Sequence, residues 1–212
     1  CIASKGDIYY EVVTEGVSAH ASVPEEGVNA IYKMAKIIEA IQAFSKKLEE
    51  RRHRLLTPPT ISVGTIEGGT ITSMVPDHCR ITVDRRILPS ETPEEGKREL
   101  EDLIEELRKR DPGLKARVRI LMEALPMEVS EDEEVFRAMQ RAAEKVLGYK
   151  PSPKGFTAVC DAQVLVNQAK TPTVIFGPGS ISQAHKPDEY VEIGEVVEAA
   201  KIYALTALSL LS

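Results

Sequence analysis

The stretch that decides the fold runs from residue 79 to residue 107 and reads CRITVDRRILPSETPEEGKRELEDLIEEL. Its first six residues alternate apolar and polar side chains, which predicts a strand with one apolar and one polar face. Residues 92–95, Thr-Pro-Glu-Glu, form a capping box with proline at the first helical position, so a helix begins there. The buried stripe of that helix is supplied by Leu100, Leu103, Ile104 and Leu107. This half of the chain is therefore built around a strand and a capped amphipathic helix.

Elements on either side of this stretch complete a β-α-β-β-α-β order over residues 6–123. Upstream lie a β-branched strand at residues 8–13, a long helix within residues 28–51 and an alternating strand at residues 60–66. Downstream, alternating apolar residues at 118–122 supply the last strand. This order is that of the split βαβ sandwich, so we expect a ferredoxin-like α+β unit.

The second half of the chain has a different composition and element order. We predict a buried helix at residues 160–166, a wholly apolar strand at residues 173–176 and a final helix at Ile193–Leu211. The inward face of that last helix is predicted to hold Val196, Val197, Ala200, Tyr203, Ala204 and Ala207. This is α/β sequence with too few strands to close a sheet, and the start at Cys1 reads as a piece cut from something longer. We therefore expect a missing half-domain, and an exposed strand edge and apolar surface on residues 118–212.

The composition disfavours several classes of protein. A chain of 212 residues with 42% hydrophobic and 28% charged residues is typical of a folded protein. The 27 Lys and Arg against 33 Asp and Glu give a net charge of −6, and the 5% aromatics include no Trp, so nucleic-acid binding is disfavoured. No apolar run approaches the roughly 18 residues of a membrane span. Three widely spaced cysteines indicate a reducing cytoplasm without a disulfide framework.

Two of the four histidines are candidate functional residues, whereas His53 and His78 are best explained as surface residues. His20 lies among small residues in the loop between the first strand and the first helix, where its ring has room to reach a ligand. The alternative for His20 is an ordinary loop histidine. His185 follows a glycine-rich loop after the predicted apolar strand, where open α/β sheets bind ligands. Catalytic zinc needs about three protein ligands and no motif supplies them here, so co-ligands of His185 lie elsewhere.

Three further features have both a functional and a structural interpretation. Residues 177–179, Gly-Pro-Gly, offer backbone N–H groups to a carboxylate or oxyanion, or form an ordinary turn. Asp84 and Arg86 share the polar face of one strand and form either a surface ion pair or a fork for a substrate carboxylate. Cys160 is either a thiol nucleophile or a buried structural cysteine, and the second interpretation is favoured.

Several blocks of residues follow one another in a definite order. They are GVSAHASVP at 16–24 with GVNAI at 27–31; then Gly68-Gly69, Val75-Pro76-Asp77 and Asp84-Arg85-Arg86; then CDA at 160–162, PTVIFGPG at 172–179 and AHKPDEYV at 184–191. In this order they resemble the zinc-dependent amidohydrolases, a family that includes acetylornithine deacetylase, succinyl-diaminopimelate desuccinylase, aminoacylase and glutamate carboxypeptidase. The resemblance covers essentially the whole chain.

The resemblance implies an α/β catalytic domain interrupted by a ferredoxin-like lid that mediates dimerisation. By that pattern residues 1–117 are the lid, and residues 118–212 are the C-terminal portion of the catalytic domain. The N-terminal catalytic half of the family, which carries the other metal ligands and the general base, is absent from this chain.

The resemblance also implies roles for individual residues. His20 matches the lid histidine that reaches into the partner subunit's active site, and His185 matches a metal ligand. Arg86 matches an arginine that holds the substrate carboxylate, and Gly179 lies in the backbone turn near it. Ser73 stands where the family usually has Asn, so that substrate contact would need a water bridge or a shifted substrate.

The function implied is hydrolysis of the amide bond of an N-acyl amino acid or small peptide. Two zinc ions are expected in the complete enzyme, with cobalt or manganese as alternatives. We expect a cytoplasmic homodimer that pairs through its lids and binds neither nucleic acid nor membrane. The alternative is that the 212 residues form only an inactive dimerisation and substrate-gripping module, because a metal with one protein ligand is not a working site.

Overall fold

Seven strands and five α-helices follow one another along the chain, and the computed structural model describes all 212 residues. The strands are β1 (Ala3–Ser4), β2 (Gly6–Glu15), β3 (Thr60–Gly68), β4 (His78–Ile87), β5 (Lys115–Ala124), β6 (Met127–Glu128) and β7 (Gly155–Phe156). The helices are α1 (Ala30–Leu48), α2 (Pro93–Arg110), α3 (Glu134–Leu147), α4 (Ala162–Asn167) and α5 (Ile193–Leu211). Short 3₁₀ turns lie at Pro24–Glu26 and Ile181–Gln183.

Residues Lys5–Pro126 form one unit, and it is the predicted β-α-β-β-α-β sandwich. Its sheet has the order β3-β4-β2-β5, and every neighbouring pair is antiparallel. One core joins this sheet to α1 and α2. The predicted boundary after residue 117 falls inside β5, which pairs with β2 along its length, so the break comes after Pro126 instead.

Local sequence signals place the starts of both helices of this unit. Asn29 caps α1, and its side chain accepts a hydrogen bond from the Tyr32 backbone N–H at 3.1 Å. Thr92 and Glu95 form the predicted capping box of α2, with both of its hydrogen bonds present. Each helix then turns an apolar stripe onto the sheet. The buried residues of the two helices include Met34, Ile37, Ile41, Leu100 and Ile104.

The helix-facing side of β4 is apolar except at one position. Cys79, Ile81, Val83 and Ile87 are buried there, as the alternation predicts. Arg85 shares their face and is only 1% exposed, and its Nη2 forms ion pairs with Glu91 at 2.8 Å and Glu99 at 3.1 Å. A buried guanidinium is tolerated only with such partners.

The opposite face of the sheet carries cross-strand ion pairs. On β2, Glu11 accepts from Arg80 of β4 at 3.2 Å and lies 3.1 Å from the Arg119 guanidinium of β5. Arg117 of β5 pairs with Glu15 of β2 at 3.1 Å. Alternating charges across neighbouring strands let this face remain polar without like charges lying opposite each other.

Residues Cys1–Ser4 and Met127–Ser212 form the other unit. Its three short strands have the order β6-β1-β7, with β1 antiparallel to β6 and parallel to β7. Helices α3 and α5 pack together around Met139, Ala142, Ala143 and Ile202. Gly148 ends α3 in the left-handed conformation, with φ of 78°.

Two elements predicted for this unit differ in the structure. The helix predicted at residues 160–166 is the short α4, of which only Ala162 is buried. Residues 173–176 are half-buried but do not form a strand. Ile175 exchanges backbone hydrogen bonds with Cys1, and this single pairing gives too short a ladder for a strand.

The face of α5 that packs inward also differs from the prediction. Ala199, Ile202 and Thr206 are buried, whereas Val196, Val197 and Tyr203 are 43%, 48% and 45% exposed. Of the other residues predicted inward, Ala200, Ala204 and Ala207 are exposed too. The helix is apolar on more than one side, and contact with α3 selects which side is covered. The apolar surface expected on this half of the chain is therefore present. Even so, no helix of the structure is both long and apolar enough to cross a membrane.

Candidate functional site

The loop that carries His20 is fixed to a second loop by backbone hydrogen bonds. The Ala21 N–H donates to the Ser73 carbonyl at 2.9 Å, and the Val75 N–H donates to the Ala19 carbonyl at 2.8 Å. These two bonds flank an antiparallel bridge between His20 and Met74. The structure thus brings His20 and Ser73, two of the predicted site residues, onto neighbouring strand-like segments.

Glycine is needed where the His20 loop leaves β2. A Cβ on Gly16 would lie 2.0 Å from the Val28 carbonyl oxygen, which is far inside van der Waals contact. Val17 and Val28 form an antiparallel bridge at this point, so the two ends of the loop run side by side. Glycine at position 16 therefore allows the two ends of the His20 loop to approach each other this closely.

The imidazole of His20 is held in one tautomer. The Ser22 backbone N–H donates to His20 Nδ1 at 3.2 Å, and the Ser22 Oγ lies 2.7 Å from the same nitrogen. Because a backbone N–H can only donate, Nδ1 accepts, and the proton of the neutral ring is on Nε2. His20 is exposed, so this Nε2–H is a hydrogen-bond donor that a ligand can reach. A fixed donor of this kind is suited to stabilising a developing oxyanion.

An open groove of about 950 Å³ adjoins the His20 loop. Its walls include Ala21, Met74, and the side chains of Tyr32 and Ile71, which are 71% and 63% exposed. Because both side chains line the same groove, they contribute to one exposed apolar patch, and such patches mark surfaces for interaction. The groove therefore places an interaction surface directly beside His20.

Arg86 lies on the polar face of the sheet and is held by two carboxylates. Its Nε and Nη2 donate to Asp84 at 2.9 and 2.8 Å, and Nη2 also lies 3.0 Å from Asp7 Oδ2. The side chain is 27% exposed, so a ligand can still reach it. The ion pair between Asp84 and Arg86 is thus present, as the simpler interpretation of the sequence has it. Asp7 adds a second carboxylate to this pair.

Asp7 is a residue that sequence reasoning missed. Burial raises the pKa of its carboxyl, and the negative charge of Asp84 raises that pKa further, while Arg86 lowers it. The adjacent Lys5 is also buried, its pKa is lowered by burial, and its Nζ donates to the Pro58 carbonyl at 2.5 Å. Asp7 stands opposite Arg86 only through the β2–β4 register, so no local motif could have identified it.

Gly179 and His185 both adopt left-handed backbone conformations, with φ of 82° and 65°. The Gly179 N–H donates to the Glu195 carboxylate at 2.7 Å, and the His185 N–H donates to the Glu189 carboxylate at 3.0 Å. Each backbone N–H is thus already hydrogen-bonded to a carboxylate of this chain. A positive φ is uncommon outside glycine, and such residues cluster at functional sites. His185 is exposed, so its ring is accessible.

The sequence comparison identifies the family. The peptidase dimerisation domain of the M20 family matches residues 2–112. The chain belongs to the M20 peptidase family. The unit Lys5–Pro126 with its His20 loop is thus the M20 dimerisation domain, extended past the matched residues by β5.

Curated M20 relatives extend the likeness along most of the chain. It is 28% identical over 205 residues to acetylornithine deacetylase of Myxococcus xanthus, a match that covers 95% of this chain and 52% of the relative. It is 34% identical over 194 residues to acetylornithine deacetylase of Shigella sonnei strain Ss046, covering 90% of this chain and 48% of the relative. The chain therefore spans about half the length of the curated relatives that it matches.

Solved structures show the same fold. The aminopeptidase PepT of Bacillus cereus superposes with a TM-score of 0.76 at 25% identity, covering 100% of this chain and 53% of that one. The M20 metallo-carboxypeptidase of Sulfolobus solfataricus superposes with a TM-score of 0.71 at 20% identity, covering 100% of this chain and 60% of that one. The M20 match and these neighbours confirm the predicted lid fold.

The residues present do not form a metal centre by themselves. No group of three or more His, Cys, Asp or Glu side chains in the structure could hold a metal ion. A catalytic zinc site takes about three protein ligands, so His185 would need ligands that this chain does not supply.

Proposed function

We propose that this chain serves in the hydrolysis of an amide bond of an N-acyl amino acid, as part of a metal-dependent M20 enzyme. Two curated relatives of the chain are named acetylornithine deacetylase, which makes N-acetylornithine the first substrate to test. A desuccinylase-like substrate and a small peptide are the next substrates in order. The observation that carries the proposal is His20, which the paired loops and Ser22 hold as an accessible Nε2–H donor.

We assign the role of lid to Lys5–Pro126 and that of the C-terminal catalytic portion to the other unit. In the lid, His20 would donate to the oxyanion as the amide carbonyl is attacked, an effect typically worth about 3 kcal/mol. Arg86 would bind the substrate carboxylate through the part of its guanidinium that Asp84 and Asp7 leave free. Ser73, on the segment beside His20, would contact substrate through a water molecule.

In the other unit, the Gly179 N–H and the His185 ring are proposed as ligand contacts. Glu195 already accepts from the Gly179 N–H, which supports the idea that this turn binds a carboxylate or oxyanion. His185 would be the one metal ligand of this chain. We propose zinc as the metal, with two ions per site and with cobalt or manganese as alternatives.

The activity is tested on the full-length protein that contains this chain. We expect it to release acetate from N-acetylornithine, and we expect activity to disappear when a chelator removes the metal and to return when zinc is added. Loss of activity with chelator that zinc, cobalt and manganese all fail to restore would contradict the assigned metals. Absence of hydrolysis for N-acetyl and N-succinyl amino acids and for dipeptides would contradict the proposed function.

We propose that the protein is a homodimer that pairs through the lids, with His20 acting in the partner subunit's site. Tyr32 and Ile71, exposed beside the His20 loop, support this arrangement because a second copy would cover them. In a two-fold dimer the arrangement is reciprocal, so each subunit's site receives the His20 of the other subunit.

Mixing two inactive variants tests this arrangement. His20→Ala and His185→Ala should each be nearly inactive, and only His185→Ala should lose bound metal. After subunit exchange, each heterodimer has one site with an intact His185 and the intact His20 of the other subunit, so activity should reappear. A mixture that remains inactive although labelled subunits have exchanged would show that His20 does not act across the dimer.

The second candidate is an assembly and substrate-gripping module without activity of its own. The lack of any cluster of three metal-binding side chains favours this role for the 212 residues taken alone. Metal analysis of the 212-residue protein distinguishes the two: a content near zero agrees with the module, whereas nearly two metal ions per chain would show a complete site.

A further inference from the structure

Only some of the N–H groups of Arg86 have a protein partner. A guanidinium has five N–H donors. Asp84 takes one from Nε and one from Nη2, and Asp7 lies 3.0 Å from the same Nη2. Both donors of Nη1 are without a protein partner. Asp7 forms an ion pair with Nη2, so it places a second negative charge next to the guanidinium to which a substrate carboxylate would bind.

The charges around Arg86 also oppose a further anion. Asp7 and Asp84 bring two negative charges against the one positive charge of the guanidinium. The positive charges of Arg86 and Arg85 help to lower the pKa of nearby Lys5, but the polar contacts of Lys5 and Arg85 lie elsewhere. Lys5 donates to the Pro58 carbonyl, and Arg85 pairs with Glu91 and Glu99. A substrate carboxylate that approaches Arg86 is thus repelled by the two carboxylates that already lie against the guanidinium.

Asp7 forms an ion pair with Arg86, and hydrogen bonding to the Tyr9 side chain and the Ile8 backbone also lowers its pKa. Its side chain is 6% exposed, and its Oδ1 is buried without a hydrogen-bond partner. The groups nearest to it are Arg86 and Asp84 on β4 and Tyr9 on its own strand. Ala124 stands opposite Asp7 on β5 and brings no charge. Because Asp7 is buried and has no other ion-pair partner, its negative charge stays close to the guanidinium of Arg86.

We propose that Asp7 sets the affinity of Arg86 for a substrate carboxylate by holding a competing negative charge 3.0 Å from Nη2. With Asp7 in place, a ligand carboxylate that binds the guanidinium is repelled by the Asp7 carboxylate. Without the charge of Asp7 this repulsion is absent, so the ligand binds Arg86 more tightly. Asp7 is thus a positioning and specificity-determining residue, not a catalytic one, and this inference rests on the proposed role of Arg86.

The test uses Asp7→Asn and Asp7→Ala in the full-length protein, with N-acetylornithine and its α-carboxamide as the two substrates. Removing the competing charge should lower KM for the acid by about tenfold, the size of one charge-assisted hydrogen bond, while KM for the amide and both kcat values stay within about twofold. Arg86→Ala should abolish the preference for the acid over the amide.

Glu11→Gln is the matched control. Glu11 lies on the same strand and the same face, is nearly as buried, and also bridges arginines of both neighbouring strands. It should leave both KM values unchanged, and thermal unfolding of each variant checks the fold. Asp7 variants that raise KM for the acid, or that change acid and amide alike, would overturn the inference. So would an Arg86→Ala variant that retains the preference.

A protein that hydrolyses neither compound would overturn the proposed function separately. The inference is then tested by calorimetric binding of the same acid and amide to wild type and Asp7→Asn. A tenfold tighter acid complex in the variant supports the role of Asp7, and equal affinities, including no binding to either protein, overturn it.

Discussion

The helices of the two units cover their apolar surfaces to different extents. In the unit Lys5–Pro126, α1 turns Met34 and Ile37 onto the sheet, and Tyr32 is its one large apolar side chain that is exposed. In the other unit, α5 packs Ile202 against α3 but leaves Val196 and Val197 about half exposed. A helix that is apolar on two sides is suited to burial between two layers. The helices of the first unit thus cover most of their apolar surface within that unit, whereas α5 leaves an apolar face uncovered.

The largest expected difference is in the behaviour of the two units expressed separately. Residues 5–126 should unfold cooperatively, because their sheet and both helices form one core. Residues 127–212 lack β1, the central strand of the order β6-β1-β7, and should bind a hydrophobic dye and associate. Denaturant unfolding, dye fluorescence and light scattering measure this. A segment 127–212 that is monomeric, cooperative and silent to the dye would break the comparison.

Truncating one apolar side chain in each unit should give a second, smaller contrast. Ile81 is fully buried in the core between β4 and the helices, so Ile81→Ala should cost about 3 kcal/mol of the free energy of unfolding. Val197 is 48% exposed, so Val197→Ala should change that free energy by less than about 0.5 kcal/mol. Urea unfolding of the 212-residue protein measures both. A loss at Val197 equal to that at Ile81 would show that the face of α5 is covered in solution, for instance by self-association.

The smallest expected effect concerns Asp111, which joins the end of α2 to α1. Lys33 and Lys36 hold its carboxylate at 2.6 and 2.9 Å and lower its pKa. A carboxyl whose pKa is lower in the folded state contributes stability above its unfolded pKa, and that stability is lost as pH falls through the folded pKa. Asp111→Asn should therefore cost about 0.5–1 kcal/mol at pH 7 and nothing at a pH below the folded pKa.

The free energy of unfolding of wild type and Asp111→Asn is measured from pH 7 down to a pH below the folded pKa of Asp111. Glu101 is the control, because it forms an exposed i,i+4 pair with Lys97 inside α2 and joins no two elements. Glu101→Gln should cost less than Asp111→Asn at neutral pH. A difference between wild type and Asp111→Asn that is the same at every pH would contradict the ion pairing as its source.

Local signals were sufficient for most of the first unit. The capping box at Thr92, the alternation of β4 and the spacing of apolar residues in α1 all act within a few residues, so they can be seen in the sequence and are present in the structure. The predicted boundary at residue 117 was wrong because it divided a strand whose partner, β2, lies about a hundred residues earlier.

The sequence by itself determined the order of elements and the helix starts of the first unit, and the candidates His20, Arg86, Gly179 and His185. These depend on residue type and short spacing, whereas Ser73 became a candidate only through the family resemblance. Only the tertiary structure decided which face of α5 is buried, because a helix that is apolar on more than one side buries the side that a neighbouring element covers. Only strand register could bring Asp7 opposite Arg86, and only loop pairing could bring His20 beside Ser73. Contacts of this kind join residues that are far apart in sequence, so their geometry exists only once the chain has folded.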